Sequence, residues 1–513
     1  MTKPCVVLAD LRKMGNYQSV GIGCLKSWAH ADSQLRAQTD IRLLFPTIAV
    51  PIPKLAEEIL AFKPRLVGFP CYVWNLAEVL AAADFLKRAA PELLIILGGP
   101  EASPLHEEIL RRHPAVDYVA LGEGEETFRR LLRQIFLNDG TPSEVPGLAY
   151  RDGKTPLKTA PAPQIDLAAA ASPYLDGTIG SPNSSAEDAS TVIMETSRGC
   201  PFTCKFCEWG PRNMRYMPIS RVKEEFRHLS RRFKFIELSD ADLLMHRRRG
   251  REVLLAFIEA AGDAECTLFF NTNPVFLHPE IVDALALSPK SFGIFAGVQS
   301  TNPEVFKIIS RTFDQAKVEQ NLSLLRRRAP EVFVDIPILY GLPGDDLAGF
   351  RRSVDWALGM RPNRLNIYHV LVLPGSDMHR EAQALGLIYQ HAPPHQVLES
   401  AFMDGRAMRQ ARELAFHIDL FRNFMPAVSC AEVEKWAGFI RDNGFDLTFG
   451  LPVFETDEHP RSDRVNEVLG RLERSPLSHA TLSVLCRKFA QNYGKDSSCR
   501  RSSPCAELRP IAA

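Results

Sequence analysis

Glu195-Thr-Ser-Arg-Gly-Cys200-Pro-Phe-Thr-Cys204-Lys-Phe-Cys207-Glu-Trp-Gly210 sets three cysteines at the spacing Cys-x-x-x-Cys-x-x-Cys. A loop this short brings three thiolates close together, as a four-iron cluster needs. Three ligands for four irons leave one iron that a substrate or cosubstrate can chelate. The apolar run at 191–194 reads as a buried strand feeding the loop. Phe206 places an aromatic ring just before the third cysteine. The alternatives are a zinc site or three structural cysteines. Zinc sites usually recruit a fourth Cys or His at short spacing, and the nearest downstream histidine is His228.

Working outward, strand–helix units continue for about 190 residues beyond the loop. Strands are expected at 233–238, 267–271, 292–298, 332–339 and 364–373, six with the one before the cysteines. Parallel barrels place their ligands at the C-terminal ends of the strands. Those ends carry Asp240 and Asp242, Asn271 and Asn273, Gln299 and Ser300, then Gly341-Leu-Pro-Gly344 and Pro374-Gly-Ser376. Each has a plainer reading. Asn-Thr-Asn-Pro is a common turn signal, and Asp240 is equally able to cap the following helix.

Upstream, short apolar runs at 6–9, 41–45, 66–69, 93–97 and 118–121 alternate with amphipathic stretches, among them 76–90 after an Asn75 N-cap. Five such units predict a doubly wound parallel sheet with its ligand beyond the strands' carboxyl ends. The loops there contain Asp10–Gly15, Tyr72, Gly98-Gly99 and Gly122-Glu123-Gly124. Such a sheet also binds other ligands, or only partners.

The cysteine loop and the six units around it resemble the radical S-adenosylmethionine (SAM) superfamily. That resemblance implies an α/β protein with a partial (β/α)6 barrel and a [4Fe-4S] cluster on Cys200, Cys204 and Cys207. SAM would chelate the fourth iron. It further implies Asp240 and Asp242 at the SAM amino group. Asn271, Asn273, Gln299 and Ser300 would lie near the ribose and carboxylate, and Phe206 against the adenine. Glu208 would stand near the cluster as a catalytic proton acceptor or an iron ligand, with an ordinary loop carboxylate as the alternative. Trp209 beside it more often packs in a core.

The N-terminal units resemble a flavodoxin-like (Rossmann-like) cobalamin-binding domain, which implies that Gly15, Tyr72, Gly98, Gly99, Gly122, Glu123 and Gly124 contact cobalamin. Such domains commonly carry Asp-x-His-x-x-Gly, the histidine ligating cobalt. Here the run is Asp10-Leu-Arg12-Lys-Met-Gly15. Arginine stays protonated and offers no lone pair to a metal. The resemblance thus places Arg12 as a catalytic residue under a cobalt without protein imidazole; a solvated loop residue or a phosphate contact is the alternative.

The expected division is a cobalamin-binding domain at 1–150, a linker at 151–190 rich in Pro, Ala, Ser and Gly, in which Ser172-Pro-Tyr174 is a candidate to pack against a domain face, and a radical SAM core at 191–386. A mainly helical C-terminal domain follows at 387–490, with helices near 397–415 and 431–441, then a flexible tail at 491–513. Phe402, Phe416, Phe421 and Phe424 are candidates to line a substrate pocket, core packing being the commoner use. Cys499 and Cys505 lie in the polar tail.

Sixty-one basic and 61 acidic residues balance, which argues against a nucleic-acid-coating surface. No apolar run reaches the ~18 residues of a membrane span. Eleven cysteines in 513 residues do not read as a secreted disulfide scaffold, so a cytoplasmic monomer is expected. By resemblance the activity is methyl transfer from SAM through methylcobalamin to an unreactive or aromatic carbon of a small-molecule or peptide natural product. Tryptophan C2 is one candidate, because the three-part order is similar to that of the tryptophan 2-methyltransferases of thiostrepton biosynthesis. Radical SAM chemistry implies a flavodoxin- or ferredoxin-type electron donor. The alternatives are a ring-forming cyclase of the same domain order and a non-catalytic cobalamin or redox sensor.

Overall fold

The computed structural model describes residues 3–13, 17–180, 190–210, 212–421, 429–431 and 433. Gly15, Phe424, nearly all of the helix expected at 431–441, and the tail with Cys499 and Cys505 lie outside the described residues.

The first sheet contains β1 (Cys5–Ala9), β3 (Asp40–Leu44), β4 (Pro64–Pro70), β5 (Leu94–Gly98), β6 (Tyr118–Ala120), β7 (Leu148–Asp152) and β8 (Thr155–Lys158), in the order β3-β1-β4-β5-β6-β7-β8. The first five pair in parallel, and β7 and β8 add an antiparallel edge. Counting only the parallel strands, the order is 2-1-3-4-5. The chain therefore leaves in opposite directions from β1 and β4, and the loops after those strands flank the switch point where such sheets bind ligands.

Alternate side chains of β1 serve two cores. Val7 and Ala9 pack with Leu55, Ile59, Val79 and Leu86, while Val6 and Leu8 pack with Ile22, Phe128 and Leu131. Burial on both faces explains why the strands read as continuous apolar runs. The helix Gly124–Leu137 buries Phe128, Leu131, Leu132 and Ile135 on one face and stops at Asn138, whose φ of 54° suits an asparagine C-cap.

The second sheet contains β2 (Tyr17–Gln18), β9 (Thr191–Met194), β12 (Phe235–Leu238), β13 (Thr267–Thr272), β14 (Phe292–Ala296), β15 (Phe333–Tyr340) and β16 (Arg364–His369). Its order is β16-β15-β14-β13-β12-β9-β2, with every neighbouring pair parallel. Six strands are those expected. The seventh, β2, comes from the N-terminal segment and starts five residues after Arg12, so the first domain lends a strand to the second sheet. Beneath the helices Phe226, Phe257 and Phe292 meet edge to face or tilted, at 5.2 and 5.7 Å between ring centroids. Each such fully buried ring contributes about 1.5–3 kcal/mol through apolar burial. Between β9 and β12, a two-residue pairing joins β10 (Ser197–Arg198) to β11 (Arg215–Tyr216) around the cysteine loop.

Three sequence expectations change. Residues 151–180 are no free linker: they begin with the β7–β8 edge, then press Ile165, Leu167, Tyr174 and Ile179 into the second core. Tyr174 Oη also donates to the carbonyl of Ile193 at 2.8 Å. The region after Leu387 opens with an antiparallel pair, β17 (Ile388–Tyr389) and β18 (Val397–Glu399), before the helix Gly405–Phe421. Asn75 holds the N-cap position of its helix as expected, but its side chain makes no cap hydrogen bond. Fully buried, it accepts from Tyr72 N–H and donates to the carbonyls of Leu11 and Pro70, tying the two switch-point loops together.

Candidate functional site

The three cysteines stand half-buried on one loop, unpaired by disulfides. Burial raises the pKa of Cys200 and pushes Cys207 up to about 11, and each thiol is raised further by the charge of neighbouring cysteines. Metal binding here must release protons. Among the described residues, no three His, Cys, Asp or Glu side chains, these cysteines included, are grouped closely enough to hold a single metal ion. Three neighbouring soft thiolates without a fourth donor fit an iron–sulfur cluster with an open iron. Arg311, which sequence reading missed, donates to Cys204 Sγ at 3.6 Å and to the carbonyl of Gly297. It sets a cation beside a sulfur that carries negative charge once ligated.

The strand-end residues divide into two groups. Asp240, 1% exposed, accepts from Thr196 N–H at 2.7 Å, Thr196 Oγ1 at 2.6 Å, Ser197 Oγ at 2.7 Å and Ser197 N–H at 3.3 Å. Burial raises its pKa, and those donors work against the rise. It thus braces the lead-in to the cysteine loop and caps no helix. Asp242 accepts from the N–H groups of Leu244, Met245 and Asn273 and from Thr272 Oγ1; burial pushes it up to about 6. Asn273 accepts from Val275 N–H and donates to the carbonyl of Thr312. Ser300 is fully buried and accepts from Asn302 N–H. These four hold the loops in place.

Asn271, Gln299 and Phe206 remain partly exposed at the strand ends. Gln299 holds a φ of 76° while bridging β15, a left-handed backbone that costs about 1–3 kcal/mol for a non-glycine residue. Glu208 is an exposed residue whose carboxyl end tucks against Gly375, where desolvation raises its pKa; Arg380 opposes the rise and Asp377 adds to it. Gly375 has a φ of 89°, and a Cβ there would lie 2.9 Å from Glu208 Oε1 and 3.2 Å from Pro104 Cβ. The cysteine loop, the end of β16 and the loop after β5 therefore meet at this glycine. Trp209 is 45% exposed and is not core. Of the aromatic candidates farther on, Phe402 is 53% exposed and lines a cleft with Leu347 and Met403, and Phe416 is half-buried.

On the first domain, Arg12 is 4% exposed, which removes the solvated-loop alternative. Its guanidinium donates to the carbonyls of Tyr17 and Phe45 and stands 5.7 and 5.6 Å from their ring centroids. Burial lowers its pKa and Asp10 opposes that. Asp10 accepts from Ser19 Oγ through one oxygen, while the buried Oδ1 has no hydrogen-bond partner among the described residues. An orphaned acceptor at the switch point fits a ligand bearing amide N–H groups, as the corrin side chains do. Tyr72 stacks on Trp74 at 4.5 Å, and burial raises its pKa. A Cβ on Gly99 would lie 2.7 Å from the carbonyl oxygen of Cys71, so this glycine serves close backbone approach. Gly98 accepts from Cys71 N–H. Gly122 faces open space, and Gly124 packs near Leu25.

Glu123 is committed elsewhere, to Arg215 and, at 3.4 Å, to Arg198. Arg198 also reaches Glu125 and Glu195, each at 2.7 Å. Burial works against its charge, but Glu195 and Glu125 more than offset this and raise its pKa. A carboxylate cluster thus clasps the loop after β6 to the segment two residues before Cys200.

Comparison with known proteins bears on both halves. Residues 28–132 match the B12 binding domain family, and residues 194–354 match the radical SAM superfamily. The chain is a B12-binding radical SAM protein. Membership implies a [4Fe-4S] cluster and SAM in the second half and cobalamin in the first. The chain is 26% identical over 370 residues to the cobalamin-dependent radical SAM methyltransferase TokK of Streptomyces tokunonensis, covering 69% of this chain and 54% of TokK. It is also 26% identical over 394 residues to the 2-(S-pantetheinyl)-carbapenam-3-carboxylate methyltransferase of Streptantibioticus cattleyicolor, covering 74% and 56%. The chain therefore spans about half the length of these relatives. Its fold is similar to that of the radical SAM methyltransferase TsrM from Kitasatospora setae with cobalamin and cluster bound. That match has a TM-score of 0.63 and 14% identity and covers 96% of this chain and 99% of that one. No helix among the described residues is long and apolar enough to cross a membrane.

Proposed function

We propose that this protein is a cobalamin-dependent radical SAM methyltransferase acting on an unreactive or aromatic carbon of a small-molecule or peptide natural product. We assign 1–150 to cobalamin and 191–386 to the cluster and SAM, with 151–190 as the segment joining them. What carries the reading is the meeting of the cysteine loop with the loops after β5 and β6, because methyl transfer needs both cofactors at one substrate. When bound, the cluster supplies the electron for reductive SAM cleavage and cobalamin supplies a methyl carrier.

The chain's own residues do the rest. Cys200, Cys204 and Cys207 hold the cluster, with Arg311 balancing charge at Cys204. Phe206, Asn271 and Gln299 bind SAM, and Asp240 and Asp242 keep those loops in position. Glu208 accepts a proton at its carboxylate, held in place by Gly375. Arg12 ties the start of β2 to the end of β3 through the carbonyls of Tyr17 and Phe45, and its guanidinium would offer no lone pair to a cobalt bound nearby. A flavodoxin- or ferredoxin-type protein delivers the electron.

The test is anaerobic incubation of the reconstituted protein with SAM, reductant and an acceptor panel that includes tryptophan and carbapenam thioethers. S-adenosylhomocysteine and a methylated acceptor are expected. SAM cleavage without methylation of any acceptor would favour a cyclase-like reaction, and no SAM turnover would favour a sensor.

A further inference from the structure

One buried ionisable pair lies outside everything assigned above. His395 Nε2 and Glu101 Oε1 are 2.6 Å apart, with side chains 4% and 3% exposed, and the two residues lie 294 positions apart in the chain. Glu101 belongs to the loop Gly98–Ser103 at the carboxyl end of β5, the ligand-facing edge of the first sheet. His395 belongs to the β17–β18 turn, beyond the last barrel strand. Both are anchored locally. Glu101 N–H donates to the carbonyl of Cys71 at 3.2 Å, and the carbonyl of His395 accepts from Val372 N–H at 2.8 Å. His395 Nδ1 faces the carbonyl of Gln390 at 3.3 Å, so both ring nitrogens face acceptors. The strand-end segment that His395 holds, 372–375, runs to Gly375, against which Glu208 and Pro104 pack.

A polar pair this deeply buried is poor at adding stability, since both groups lose their hydration, but removing either partner strands the other without water. Such pairs are best attested where they fix one arrangement of parts over others. Here the parts are the ligand-facing loop of one domain and the cysteine-loop side of the other.

We propose that the Glu101–His395 pair is a positioning contact that holds loop 98–104 against the end of β16 and so sets the reach between the two cofactors. This rests on the methyltransferase reading. Neither residue touches the reacting atoms. Each acts through the loop it holds.

The variants are Glu101→Met, which keeps the length of the side chain but offers no acceptor oxygen, and His395→Phe, which keeps a ring but offers no N–H. Amide hydrogen exchange is read first, on the full chain before any cofactor is added. Exchange across 98–104 is expected to speed up about tenfold in either variant, with the strands of both sheets unchanged. With cofactors loaded, 5′-deoxyadenosine formation from SAM should stay within about twofold, while methyl transfer per SAM cleaved falls about tenfold. A structural defect would lower both together. Unchanged exchange at 98–104, or an unchanged ratio of methylation to cleavage alongside faster exchange, would overturn the proposal. If wild type itself methylates nothing, the ratio has no meaning and the functional reading fails, while the exchange result still tests whether the pair holds the loop.

Discussion

Burial raises the pKa of acidic groups both in the cysteine loop and at the strand ends beside it, but only the strand ends answer it with a full set of hydrogen bonds. The three thiols are half-buried and surrounded by few committed partners, although a thiolate at that depth is unfavourable. Asp240 and Asp242, only one strand away, are buried and accept from backbone and hydroxyl donors on 196–197, 244–245 and 272–273. On the function proposed above, the first region is open because its thiols are to be available to a metal. The second is closed because the loops carrying those ligands must be held. Occupying the ligand-facing end of a strand therefore does not make a residue a ligand. Its hydrogen-bond inventory decides.

Replacing Cys200, Cys204 and Cys207 together with Ala breaks the open side. Iron–sulfur absorbance and SAM cleavage should both disappear while the far-UV spectrum and melting temperature stay near wild type. Iron retained at wild-type level would remove these three from the ligand set. On the closed side, Asp240→Ala should leave Thr196 and Ser197 without their acceptor and destabilise the protein by about 3 kcal/mol, lowering cluster loading as a consequence. Asn271→Ala is the contrast. It should keep fold and iron content but weaken SAM binding, read by equilibrium dialysis. If Asp240→Ala instead folded normally and lost only SAM affinity, the division drawn here would collapse.

How much of this the sequence disclosed follows the same line. The parallel strands lie within two residues of the expected positions at nearly every end, because strands buried on both faces leave uninterrupted apolar runs. β16 is the exception at its far end, stopping at His369 where a longer strand was expected. The two-residue β2 is invisible locally, since only pairing with β9 makes Tyr17–Gln18 a strand. Proline and serine in 151–180 mask a segment whose few apolar residues, Ile165, Leu167, Tyr174 and Ile179, still fill a core. The cysteines were legible because their chemistry and spacing are local. The roles of Asp240 and Arg198 were not, since their partners lie up to 44 and 75 residues away.

A half-buried strand-end group extends the comparison to pH. His369, stacked 4.5 Å from Tyr340 and facing the carbonyl of Val397 at 2.6 Å, is lowered by burial from its ordinary 6.5 to about 4. A depressed histidine favours the fold above the unfolded value and loses that contribution as pH falls from 6.5 towards 4. The loss is up to about 3 kcal/mol. Urea titrations across that window should show the decline, and His369→Phe should flatten it. An unaltered slope in the variant would show that other groups carry it.

The smallest expected effect is at Arg12. Arg12→Lys keeps the charge but loses the fork that reaches both Tyr17 and Phe45, which should cost about 1–2 kcal/mol. Cobalamin affinity should weaken with cluster content unchanged. Equal affinity for cobalamin in variant and wild type would confine Arg12 to the fold.

The most direct test of the central claim is paramagnetic resonance of the anaerobically reconstituted protein with cobalamin reduced to the Co(II) form. The account predicts bound cobalamin whose signal lacks nitrogen splitting from a protein imidazole, together with a reducible [4Fe-4S] cluster that SAM perturbs. A histidine nitrogen splitting, or a protein that assembles the cluster yet binds no cobalamin, would contradict it.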